Sequence, residues 1–214
     1  MVNFRYIRFI FVGLIFWNTA VKAADQTFYF LSLQTGAQDT STTGDTYLEK
    51  LSETHGSLKQ ARNVVPVVLS FDFYRTSGNW GSGFGIDLHR YNHTYQLQDK
   101  SSVELGTVAT LFAFSIYYRG GFWFPYVGFG AGNYTAKIQE SLNATSDSEA
   151  TTANFTDAAA HTFHYKAGIR IPLGAWGIMA SWDYIAAKLT MKTENNTTLE
   201  LGGNAALFGV YYGF

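Results

Sequence analysis

Ala206-Leu-Phe-Gly-Val-Tyr-Tyr-Gly-Phe214 is the stretch that decides how this chain is read. Phe208, Val210, Tyr212 and Phe214 alternate with Leu207, Gly209, Tyr211 and Gly213, so one face of an extended strand is large and apolar. The stretch finishes on an aromatic ring. A closing strand of a membrane β-barrel has this character, because its outward face meets lipid and its rings settle at the interface.

Composition points the same way. The chain of 214 residues is 17% aromatic and 14% charged, with 21 glycines and no cysteine. Its mean hydropathy is near neutral, which excludes both a helical membrane protein and a disordered one. Residues 1–23 read as a signal peptide. Arg5 and Arg8 supply the positive start and Phe9 to Trp17 the apolar run, with a cut expected between Ala23 and Ala24. The apolar run is short of the ~20 residues that a spanning helix needs. Two segments are therefore expected, the signal peptide at 1–23 and a barrel domain at 24–214. Without Arg5, Arg8 and Lys22, 12 basic residues stand against 16 acidic, a net charge of −4. No basic patch points to nucleic acid. An exported chain without cysteine has no disulfide staples, and a closed hydrogen-bonded ladder does not need them.

Eight segments have strand character: Thr27–Thr35, Val64–Arg75, Gly83–His93, Thr107–Arg119, Pro125–Ile138, Ala160–Pro172, Ala175–Leu189 and Asn204–Phe214. Most are close to the 9–11 residues, roughly, of a tilted strand crossing a bilayer. Their connections alternate. Gln38–Asn63, Thr94–Gly106, Gln139–Ala159 and Thr190–Gly203 are medium or long and polar. Thr76–Ser82, Gly120–Phe124 and Leu173-Gly174 are short. Long loops at one rim and tight turns at the other belong to an outer-membrane barrel, with the long loops extracellular. The fold expected is all-β, an eight-stranded antiparallel up-and-down transmembrane barrel.

The two faces of the strands are unequal. Val65, Val67, Leu69, Phe71 and Phe73, then Phe84, Ile86 and Leu88, then Val108, Phe112, Phe114 and Ile116 form apolar outward stripes. Phe163, Tyr165, Ile169 and Ile171, with Trp176, Ile178 and Trp182, continue them. The opposite face carries Ser70, Asp72, Asp87, His89, His164, Lys166, Arg170, Ser181 and Asp183. A soluble barrel would be apolar inside and charged outside; this pattern is the reverse.

Pro125-Tyr-Val-Gly-Phe-Gly-Ala-Gly132 resembles the PYxGxGxG strand of OmpA/OmpW-like eight-stranded outer-membrane barrels. The resemblance extends to the leader, the eight-strand rhythm and the terminal aromatic. It implies an outer-membrane location, lipid and lipopolysaccharide as neighbours, and recognition of the aromatic end by the barrel-assembly machinery. Gly128, Gly130 and Gly132 share a face, placed in the lumen, where a hairless strip leaves room for larger charged groups in a barrel barely wide enough for its side chains.

Candidate chemistry collects on the inward face. If Leu173-Gly174 is the two-residue turn, Pro172 faces Ala175, His164 faces Asp183 and Lys166 faces Ser181. Asp72 and Asp87 would lie nearly opposite one another and would repel unless Lys166 or Arg170 reached them. One reading of the cluster is a relay in which His164, oriented by Asp183, activates Ser181. The preferred reading is a salt-bridged polar core that plugs a narrow barrel, since a nucleophile needs an accessible substrate. Lipid A-modifying barrels are poorly matched: against the PagL kind, the stretch His161-Thr-Phe-His-Tyr-Lys166 lacks the serine of a His-x-Ser pair, and against the PagP kind, His89, His93 and Asp147-Ser148 are scattered residues of a common sort. His89 and His93 lie too far apart along a strand to share a metal. No catalytic residue, cofactor or metal ligand set is expected. Arg90 is expected to point outward and contact lipopolysaccharide phosphate. The role expected is structural or surface-interaction, through loops 38–63 and 139–159 and whatever extracellular ligand they take. A small-solute or hydrophobic-molecule conduit is the alternative, and a lipid A-modifying enzyme the next.

Overall fold

The computed structural model describes residues 26–40, 46–59, 64–143, 151–191, 197–200 and 202–214. The leader expected at 1–23, and parts of the long connections, lie outside these residues. The barrel strands are β1 (Gln26–Thr40), β3 (Val67–Ser77), β4 (Trp80–Leu97), β5 (Ser102–Tyr118), β6 (Phe124–Leu142), β7 (Thr151–Leu173), β8 (Trp176–Ala186) and β11 (Gly203–Gly213). Each pairs antiparallel with its neighbour, and β11 pairs back to β1 from Phe30↔Gly213 to Thr40↔Gly203. The ladder is closed, so no strand edge is left to meet a hydrocarbon solvent that offers no hydrogen bonds. A helix, α1 (Thr46–His55), and a short strand, β2 (Leu58–Lys59), lie in the first long connection; β9 (Lys188–Met191) and β10 (Thr197–Glu200) form a small hairpin in the last.

The strands differ in height. β3, β8 and β11 have 11 residues each, whereas β4 to β7 have 17 to 23. Their excess length stands above the rim where the long connections lie, and is called the crown below. Outward residues on β4 run Trp80, Phe84, Ile86 and Leu88, and the next, Arg90, is charged and exposed. Nine strand residues at about 3.3 Å each, tilted by about 40°, cover roughly 20–25 Å, close to the height of a lipid-facing band. Phe71, Phe112, Phe129, Phe163 and Phe208 are 43–67% exposed around the same belt. Trp80, Phe122, Trp176 and Phe214 ring its short-turn edge, each at least 60% exposed.

Three expectations are corrected. First, Thr94–Gly106 is not a loop: β4 and β5 run through it, paired from His93↔Leu105 to Gln96↔Ser102, and turn only at residues 98–101. Most of Gln139–Ala159 is likewise strand, with β6 and β7 paired from Gln139↔Asn154 to Leu142↔Thr151. Second, the β7–β8 turn is Gly174-Ala175, with Leu173 paired to Trp176. Glycine takes the first turn position with φ +90°, which a side chain would resist. That moves the pairing by two, setting Lys166 beside Asp183, Gly168 beside Ser181 and His164 beside Ile185. Third, Asp87 pairs with Ser70 and Asp72 with Gly85, so the two carboxylates are offset along the barrel. Each shift is even, so every side chain keeps its face.

Candidate functional site: the barrel lumen and its crown

The lumen is filled in three layers. Nearest the short turns, Phe30, Tyr74, Tyr117, Tyr126, Met179 and Tyr211 pack together. The middle layer is charged. Toward the crown, Tyr91, Tyr95, Leu105, Leu111, Tyr134, Ile138 and Ile185 form an apolar core with Tyr47 and Leu48 of α1 and Leu199 of β10. The helix is thus seated in the mouth of the barrel by its two most buried side chains.

Period-two pleating sends Asp72 of β3, Asp87 and His89 of β4, His164, Lys166 and Arg170 of β7, and Ser181 and Asp183 of β8 into the middle layer. Each is less than a tenth exposed. Lys166 Nζ lies 2.8 Å from Asp87 Oδ2 and 3.5 Å from Asp72 Oδ1, and Arg170 donates to the other oxygen of Asp72. One lysine therefore bridges two carboxylates that would otherwise repel. The glycine strip makes this geometry feasible. Gly128 is the cross-strand partner of Lys166, and a Cβ there would stand 3.1 Å from the lysine Cγ and 2.4 Å from Ser115 Oγ. Gly130 pairs with His164 in the same way.

Arg170 also enters the aromatic layer. Its guanidinium sits 4.8, 5.1 and 4.7 Å from the ring centres of Phe30, Tyr74 and Tyr126. Such cation–π contacts offset some of the hydration lost on burial. This cage and Gln34 were absent from the sequence reading. Aromatic residues mark a lipid belt as readily as a lumen, and only their parity along each strand could have separated the two.

The relay Ser181–His164–Asp183 does not assemble. Ser181 Oγ donates to Gln34 Oε1 at 3.0 Å, while His164 faces Asp183 at 3.5 Å and Asp87 at 3.8 Å. His89 Nδ1 lies 2.7 Å from the Tyr91 hydroxyl, and Nε2 turns toward Asp183 at 4.0 Å. Arg90 stands apart from this set. It is exposed on the outer face, beside Val67 and Val108.

Above the belt a second polar cluster fastens α1. His55 Nδ1 lies 2.8 Å from Asp99 Oδ2, Ser101 donates its hydroxyl to the same oxygen and its backbone N–H to Oδ1, and Asn143 Nδ2 donates to the Asp99 carbonyl. Desolvation alone would push the Asp99 carboxyl up, but the hydrogen bonds from Ser101 and His55 outweigh it and hold the group below its usual range. Tyr47 donates to Glu140 inside the crown.

No protein-family model matches the chain, and no curated protein matches it in sequence. Among solved structures, the crystal structure of Neisserial surface protein A aligns over 88% of this chain and 99% of that chain, at 12% identity and a TM-score of 0.52. Ail, the attachment invasion locus protein of Yersinia pestis, aligns over 90% and 100%, at 13% identity and a TM-score of 0.48. A likeness at such identities concerns the fold. The chain is an eight-stranded antiparallel transmembrane β-barrel that resembles the known Gram-negative outer-membrane barrels.

Proposed function

We propose that the chain is an outer-membrane surface protein, exported by the leader at residues 1–23, whose working surface is the crown, the connection 38–63 and the connection between β6 and β7 within 139–159. The observation that carries this reading is the filled lumen, with an aromatic layer, a salt-bridged layer and an apolar plug stacked along one axis. A conduit needs space in the lumen or an opening between strands, and the barrel seams are paired antiparallel all the way round. What projects beyond the belt is a paired, polar-sided extension rather than a pore mouth.

The short-turn rim then faces the periplasm, and the aromatic strand end from Phe208 to Phe214 is what the assembly machinery engages. Arg90, at the upper edge of the apolar belt, meets lipopolysaccharide phosphate there. A shallow cleft of about 280 Å³ between the tops of β8 and β11, lined by Asp39, Tyr184, Lys188 and Asn204 among others, adds a recess to the exposed end.

The test is flux through the purified, refolded barrel. Liposomes carrying it should not swell in sugar solutions, and planar bilayers should show no steady conductance. Swelling with the wild-type chain would sink the surface-protein reading in favour of the conduit. Intact cells displaying the protein should lose a tag placed between Leu142 and Thr151 to added protease, while a tag in the Gly78-Asn79 turn survives.

A further inference from the structure

The middle layer is one positive charge short. It holds three carboxylates, Asp72, Asp87 and Asp183, against two permanent cations, Lys166 and Arg170, all buried. Lys166 and Arg170 are spent on Asp72 and Asp87. Among the described residues, the ionic partners of Asp183 are imidazoles, His164 at 3.5 Å and His89 at 4.0 Å. A charged imidazole would close to about 2.7–2.9 Å on a carboxylate. Water could satisfy the ring nitrogens, but it brings no charge.

We propose that Asp87, His89 and His164 form an intraluminal site for a divalent transition-metal ion of the zinc, cobalt or nickel class. One ligand atom from each lies within 4.8 Å of the others. Asp87 Oδ1, His89 Nε2 and His164 Nδ1 are all buried without a hydrogen-bond partner in the protein. Asp87 and His89 are each steadied by their other polar atom, and His164 turns its other nitrogen to a carboxylate at 3.5 Å. Asp87 Oδ2 takes Lys166 at 2.8 Å, His89 Nδ1 meets the Tyr91 hydroxyl at 2.7 Å, and His164 Nε2 faces Asp183. A group behind the ligand, fixing which nitrogen is free, is the usual support of a metal-bound histidine.

The backbone explains why these three meet. Asp87 and His89 are two apart on β4 and share its inward face, and His164 reaches them across the narrow lumen from β7. Bonds of about 2.0–2.2 Å to nitrogen and oxygen would draw the ligand atoms to roughly 3.3–3.6 Å apart, from separations that are now at most 4.8 Å. Two imidazoles and one carboxylate favour a borderline transition metal over calcium or magnesium. Asp183, behind His164, places a second negative charge next to the ion. A water at the remaining position ionises readily on such a metal and removes the excess positive charge.

The site lies between the aromatic layer and the apolar plug, so the ion is captured as the barrel closes. The experiment refolds the full chain in detergent with zinc or cobalt, removes free metal by gel filtration, and confirms folding from the heat-dependent shift in gel mobility. The expected result is one metal per folded barrel, with visible cobalt absorption typical of low coordination and a higher unfolding midpoint. His89→Gln and His164→Gln should each fold and lose the metal. Asp183→Asn should retain it about 10–100-fold more weakly, as a supporting carboxylate would. Metal retained equally by both histidine variants overturns the assignment. So does a metal-free wild type whose His164 resonances titrate as an imidazolium paired with Asp183.

Discussion

Belt and crown are built from the same strands with opposite polarity. In the belt, β5 turns Phe112 and Ile116 outward, and the lumen beside it holds Asp87 and Lys166. Fewer than ten residues away the same strand turns Glu104 outward and buries Val103 and Leu105. β6 does likewise, with Val127 and Phe129 outside in the belt, and Lys137 and Gln139 outside above it over a buried Ile138. Along β5 and β6 the side chains keep their alternation; the solvent outside changes. Facing hydrocarbon, the apolar side chains are cheapest on the outer face and charged ones must find partners within. Facing water, the ordinary soluble arrangement returns. A single alternating strand therefore records where the membrane ends, as the point where its outer face passes from apolar to polar residues.

The largest expected effect breaks the belt's interior. Lys166→Met leaves Asp87 without its cation and Asp72 with only Arg170, and a buried charge stripped of its partner costs about 3–5 kcal/mol. Urea unfolding of the detergent-refolded variant measures it, and an unchanged midpoint would contradict an inward charge network. Next comes the crown's interior, where Leu105→Ala should cost about 2–5 kcal/mol by opening a cavity in a packed apolar core. If it costs nothing, the crown is not a core. The outer surfaces are then compared by one substitution made twice. Phe112→Arg, on the lipid face, should destabilise by about 2–4 kcal/mol if it lies near the midplane. Gln139→Arg, exposed on the crown, should stay within about 0.5 kcal/mol. Equal penalties would erase the boundary between the two regions.

The smallest effect concerns the clamp on α1. The Asp99 carboxyl is held below its usual range in the folded protein, so its contribution is complete above the ordinary Asp pKa of 3.8. It is lost as pH falls through the lower folded value. Protease cleavage within 46–55 should therefore accelerate only below about pH 4. Asp99→Asn should flatten that dependence, and a profile unchanged by the substitution would remove Asp99 from the clamp.

Much of the belt could be read from the chain because its signal is strong and local. Val67 to Phe73 and Phe84 to Leu88 alternate without interruption, and the charges of Asp72, Asp87, Lys166 and Arg170 fall on the opposite parity. The crown was harder. Thr94-Tyr-Gln-Leu97 and Val103-Glu-Leu105 alternate equally well, but their outer residues are polar, and a polar stretch between two apolar strands looks like a loop. The two-residue error in the β7–β8 register came from choosing Leu173-Gly174 over Gly174-Ala175. Both turns contain the same glycine, and only the backbone angle decides between them. The meeting of His164 with Asp87 and His89 was out of reach, because it joins strands separated by more than seventy residues across a lumen. Sequence spacing carries no trace of that contact.

The seam between β1 and β11 has a consequence in time. Phe30 pairs with Gly213, 183 positions away, whereas every other barrel seam joins a barrel strand to the next barrel strand along the chain. Hairpins of that kind form early and cheaply, while closing the long span waits on the last strand and carries the largest entropic cost. Until then the sheet has two open edges, the state most liable to pair with the wrong chain. The nine residues from Ala206 to Phe214 thus act as a latch, and how long the half-made sheet survives depends on how soon they arrive.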